Sequence, residues 1–70
     1  AELDALFIRD GRRPGIEIKR ADAPRLSPSM RHAMNDLQLD SLWVIYPGNH
    51  AYPLSEVVQV LPLGQATAVV

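Results

Sequence analysis

Apolar and polar residues alternate through GIEIKRAD, residues 15–22: Ile16 and Ile18 fall between Gly15, Glu17 and Lys19. A period of two is the pattern of a strand with one apolar and one polar face. A second such run, ELDALFIR, precedes it and ends at Asp10-Gly11. Asp-Gly between two alternating runs predicts a hairpin, because a type I′ turn needs positive φ at both central residues. With Asp10 and Gly11 as the loop, Arg9 faces Arg12, Asp4 lies opposite Glu17, and Lys19 sits on the diagonal. The same register gathers Leu3, Ala5, Phe7, Ile16 and Ile18 on the other face, so Asp4, Glu17 and Lys19 are expected on an open, solvated side.

After Pro24 the period changes. Ser27-Pro28 reads as an N-cap followed by proline at the first helical position. Met30, Ala33, Met34 and Leu37 then recur at i, i+3, i+4 and i+7, which predicts a helix over 28–38. Leu42 to Tyr46 is a nearly continuous apolar run, as expected of a central strand covered on both faces. Tyr46-Pro47-Gly48-Asn49 suits a type II turn, residues 52–54 are too short to classify, and Val57 to Leu61 predict a fourth strand with Pro62 near a sheet edge. The fold class that results is α/β: a four-stranded mixed sheet in the order β-β-α-β-β, with one crossover helix. The strands flanking the helix are expected to be parallel and the outer two antiparallel. The domain occupies 1–63 and a tail 64–70.

Composition limits the setting. Seventy residues make one small domain with a modest core. A 47% hydrophobic content excludes a disordered chain. The start at Ala1, with a strand beginning at once, is expected of a piece of a longer protein. The absence of cysteine removes disulfides and thiolate metal sites. No apolar run reaches the roughly 20 residues of a membrane span, so a cytoplasmic protein with no membrane partner is expected.

The net charge of −1 argues against strong, uniform affinity for nucleic acid. Its distribution is uneven: seven basic against five acidic residues leave the first 31 positions at +2, and the remainder holds three acids and no Lys or Arg. Arg9, Arg12 and Arg13 at the hairpin tip, with Arg20, form a candidate phosphate-contacting patch, although a solvated tip is the commoner explanation of such a cluster. His32 and His50 have no partners at metal-ligand spacing. From pattern alone, Asp4, Glu17 and Lys19 read as a cross-strand charge cluster.

The hairpin, the acid-x-lysine pair, the crossover helix and the following strand resemble the organisation of the PD-(D/E)xK, or restriction-endonuclease-like, superfamily. The segments ELDALF, GIEIKRADAPRLSPSM and LWVIYPG are similar to the carboxy-terminal domain of bacterial and archaeal AAA-type ATPases of unknown function. The resemblance implies a truncated restriction-endonuclease-like fold attached to an ATPase module, with ATP bound only in that absent parent domain. It implies Asp4 as the first acid and Glu17 and Lys19 as the (D/E)xK pair, with Asp4, Glu17 and the Ile18 carbonyl as ligands of Mg²⁺. The implied activity is Mg²⁺-dependent binding or cleavage of DNA, and the alternative is a structural or protein-interaction module with a degenerate site. The crossover helix offers no match to a catalytic glutamine. A sheet with one helix leaves a face bare, so docking on the parent ATPase or self-association as a dimer is expected, through Leu6, Ile8, Val44 or Ile45 and alternate residues of 57–61.

Overall fold

A computed structural model describes residues 4–6, 8 and 10–68. The first hairpin forms as the turn chemistry dictates. Asp10 and Gly11 have φ of 53° and 78°, the positive pair a type I′ turn requires. They join β1 (Ala5–Leu6) to β2 (Pro14–Ile18). The register pairs Ala5 with Ile16 and Leu6 with Gly15, as the two-residue loop predicts.

Helix α1 (Pro28–Asp36) starts where its capping signal lies. The Ser27 hydroxyl accepts the Met30 N–H at 3.2 Å, with Pro28 in the first turn. It stops two residues short of the expected end. Gln38 is left-handed, with φ 52°. Its N–H reaches Asn35 O at 3.3 Å, and Leu39 N–H reaches Met34 O at 3.0 Å. These are the two bonds of a Schellman terminus, built on glutamine where glycine is usual, so the stop carries no glycine signal. Arg13 reinforces it: its Nε and Nη2 donate to Leu37 O at 3.1 and 2.8 Å. Arg13 N–H also donates to the Asp40 carboxylate at 2.7 Å, and Asp40 N–H to Arg13 O at 3.0 Å. The entry to β2 is thereby fastened to the end of α1.

Strand β3 (Ser41–Tyr46) pairs in parallel with β2, completing the expected βαβ unit. Beyond it the topology departs from expectation. The sheet has five strands, not four, in the order β1-β2-β3-β5-β4. Strand β5 (Val58–Pro62) pairs with β3 in parallel, not antiparallel, and lies inside the sheet. The edge belongs to β4 (Tyr52–Pro53), the stretch too short to classify, which is antiparallel to β5. A proline is tolerated at such an edge and at the last residue of a strand, where Pro62 falls.

The turn after β3 launches this second crossover rather than a tight hairpin. Tyr46 fixes it: its hydroxyl donates to His50 O at 2.7 Å and accepts His50 N–H at 3.0 Å. A Cβ on Gly48 would fall within the Tyr46 ring, so glycine is required there by close approach. The Tyr52 ring meets that of Tyr46 edge-on at 6.2 Å. The last described residues form a 3₁₀ helix (Leu63–Ala68) against β3 and β5.

Register divides the sheet into two faces. Gly15, Leu42 and Val58 lie on one row, and Glu17, Val44 and Val60 on the next. That face packs on α1, with Met30, Leu39, Leu42, Val44, Tyr46, Val58 and Val60 forming one buried cluster. Val44 is therefore core rather than bare-face. Leu6 also sides with the α1 face, through its pairing with Gly15. The second face carries Ala5, Ile16, Trp43 and Gln59 on one row and Ile18, Ile45 and Leu61 on the next. Ile45 is buried there, whereas Ile18 is 56% exposed.

Candidate functional site

The hairpin register places Glu17 on one face of β2, with Lys19 just past the strand's end, and pairing with Val44 makes it the face that α1 covers. The side expected to be solvated is therefore the buried one. Glu17 retains only 4% of its accessible surface, and among the described residues it is the one charged side chain in the core. Its Oε2 lies 3.6 Å from Lys19 Nζ. That separation gives an ion pair but no hydrogen bond, and Oε2 has no hydrogen-bond partner. A buried carboxylate oxygen without a donor is costly unless a cation or donor completes it. Lys19 is partly open, its side chain 40% exposed, so it carries the charge from the core to the surface.

Asp4 sits just outside β1 rather than in the ladder opposite Glu17. Its N–H donates to Ile16 O at 3.0 Å, while Ile16 is also the partner of Ala5. Two residues thus address one, the count of a bulge. The Asp4 Oδ2 then accepts the Ile18 N–H at 2.6 Å. A side-chain oxygen takes the place of a strand carbonyl at the residue between Glu17 and Lys19. Because a residue's N–H and C=O point to the same edge of a strand, the Ile18 carbonyl faces the β1 side together with Asp4. Asp4 is thus tied to Ile18, the residue between Glu17 and Lys19, at the end of β2, with the Asp4 carboxylate exposed and the Glu17 carboxylate buried.

The donor set suits a hard divalent cation in kind: two carboxylates and a carbonyl, one oxygen of which is orphaned in the interior. It is sparse in number. Among the described residues no group of three or more His, Cys, Asp or Glu side chains could hold a metal ion. The remaining coordination positions would fall to water.

The basic residues do not form one surface. Arg13 is half-buried and committed to the end of α1. Arg12 and Arg20 are exposed, and Arg9 lies outside the described residues. Sequence reasoning missed Arg25, which lines a depression beside Lys19 and lies near enough to Tyr52 to influence it. Burial and the neighbouring Tyr46 raise the Tyr52 pKa above its ordinary value, and the Arg25 charge acts the other way. The Tyr52 hydroxyl donates to Pro24 O at 2.8 Å, tying the loop that carries Arg25 to the edge strand.

Among the described residues, five strands, one α-helix and an acid-x-lysine pair whose acid alone is buried define a small α/β domain with a polar site at the end of its second strand. Residues 1–66 match the family described as "Domain of unknown function (DUF4143)", and the chain belongs to that family. It is 49% identical over 65 residues to "Uncharacterized protein Mb2031c" of Mycobacterium bovis and to "Uncharacterized protein Rv2008c" of Mycobacterium tuberculosis. Each match covers 93% of this chain but 15% of the relative, so the chain spans about one seventh of the curated relatives' length. No solved structure matches. Among the described residues no helix is long and apolar enough to cross a membrane.

Proposed function

We propose that this chain is an accessory domain of a larger AAA-type ATPase, with a PD-(D/E)xK-like site that binds a divalent cation and the phosphodiester of DNA in the cytoplasm. The observation that carries this reading is Glu17 Oε2, buried and without a hydrogen-bond partner in an otherwise apolar core. A strand serving only as scaffold would gain stability from an apolar residue there. The order hairpin, helix, parallel strand supports the restriction-endonuclease-like assignment, and the relatives' length leaves room for an ATPase module.

In this reading Glu17, Asp4 and the Ile18 carbonyl would hold Mg²⁺. The ion would supply countercharge and Lewis acidity at a phosphoryl oxygen. Lys19, anchored by Glu17, places an ammonium at the mouth of the site, where it holds a phosphate oxygen or orients water. Affinity for the metal alone is weak, in the millimolar range, because so few protein ligands converge. Cleavage is expected only in the longer protein.

A second reading, an interaction module with a degenerate site that docks on the ATPase, is favoured by one observation. Asp4 Oδ2 is already occupied by the Ile18 N–H at 2.6 Å. Paramagnetic broadening of the amide spectrum by Mn²⁺ separates the two. The proposed function predicts selective loss of the Ile18 and Lys19 signals at millimolar Mn²⁺, abolished by Glu17→Gln. A folded wild-type chain whose signals fade uniformly, or not at all, would overturn it in favour of the docking module.

A further inference from the structure

Beside the site, an open cavity of about 300 Å³ lies between the end of β2 and the start of α1, lined by Lys19, Ala21, Ala23, Pro24, Arg25, Ser27 and Met30. Its volume is at the small end of ligand pockets, about 300–1,000 Å³. The floor is apolar, with Met30 and Pro24 both buried. The polar contribution comes from two cations and a helix start. Glu17 holds the Lys19 ammonium, 3.6 Å from Oε2. Arg25 is exposed, and among the described residues no carboxylate pairs with it. Ser27 is the N-cap of α1, whose dipole adds positive potential at that end.

Two cationic groups against one paired acid leave an excess of positive charge over an apolar floor. A phosphate matches the first part and a sugar or base the second. A purely hydrophobic ligand would leave Arg25 without an anion, and an isolated phosphate would leave the floor uncovered.

We infer that this cavity is the nucleotide subsite of the proposed site: Lys19 and Arg25 hold one phosphate while Ala23, Pro24 and Met30 receive the attached sugar or base. The inference rests on the phosphodiester reading above and deepens it by assigning Arg25, which that reading does not use. Recognition of this kind is electrostatic in affinity and sequence-tolerant, and it weakens with salt.

The test is metal-free. The ¹⁵N-labelled chain is titrated in EDTA at low salt with thymidine 5′-monophosphate, inorganic phosphate, thymidine and a 5′-phosphorylated thymidine tetranucleotide. The amides of Lys19, Ala23 and Arg25 are expected to shift most with the two nucleotide phosphates, less with inorganic phosphate and least with thymidine. Arg25→Ala should weaken the nucleotide affinity about tenfold and Arg25→Lys should restore part of it, while Arg31→Ala on the exposed side of α1 leaves it unchanged. Shifts that are absent, that inorganic phosphate reproduces in full, or that persist in a folded Arg25→Ala chain would overturn the subsite. The Mn²⁺ experiment fails or succeeds separately. Nucleotide shifts without Mn²⁺ broadening would leave the subsite standing and remove the metal site, and the reverse would remove the subsite alone.

Discussion

Glu17 is the residue whose placement most constrains this protein. A carboxylate with one oxygen unpaired, opposite Val44 in a packed interface, costs stability that an apolar side chain would recover. Glu17→Leu is expected to raise the stability of this chain by about 1 kcal/mol while abolishing any Mn²⁺ effect at Ile18, as urea unfolding and the amide spectrum would show. A loss of stability would mean that the pair with Lys19 already satisfies the acid. Tyr52 makes a second residue-scale case. Its pKa is raised in the folded state, so its contribution to stability is complete below the unfolded value of about 10 and is lost as pH rises through the folded one. The urea midpoint should fall between pH 9 and pH 11, and Tyr52→Phe, which cannot ionise, should flatten that fall.

At the scale of elements, the joint between hairpin, helix and third strand is held by Arg13 and Asp40. The Arg13 guanidinium satisfies a helix-end carbonyl that has no intrahelical donor, and the Asp40 carboxylate takes the Arg13 N–H. Arg13→Ala is expected to destabilise the fold by about 1–2 kcal/mol, with an unchanged dependence on denaturant. Arg12→Ala, at an exposed neighbour, should change little. Equal effects from the two would show that the guanidinium serves the tip's charge rather than the helix end. The sequence marks both arginines alike as tip residues. Only the position of the α1 terminus, set by the left-handed Gln38, distinguishes them.

For the molecule as a whole, the sheet face opposite α1 is the exposed liability. Ile18 is 56% accessible there and Leu63, next to β5, is 60% accessible. Exposed apolar residues on so small a domain favour association. The chain is therefore expected to self-associate at tens of micromolar in sedimentation equilibrium, and Ile18→Lys, which replaces no core contact, should return it to monomer without lowering the thermal midpoint. A wild-type monomer at those concentrations would show that the half-buried Ile16, Trp43 and Leu61 suffice to close this face.

Local chemistry determined the parts of this protein that rest on a few adjacent residues. Asp10-Gly11 fixed the turn and its register, Ser27-Pro28 fixed the helix start, and the spacing of Met30, Ala33, Met34 and Leu37 fixed the helix face. Each is decided by φ, by a cap or by a period, none of which needs a distant partner. Tertiary structure alone decided which side of the hairpin is buried. The run Leu42 to Tyr46 is apolar at nearly every position and so carries no alternation to say which half meets α1. Only the pairing of Glu17 with Val44 turned the charged side inward and left Ile18 in water. The parallel placement of β5 was equally hidden, because a two-residue edge strand is shorter than any period and its existence depends on partners already in place.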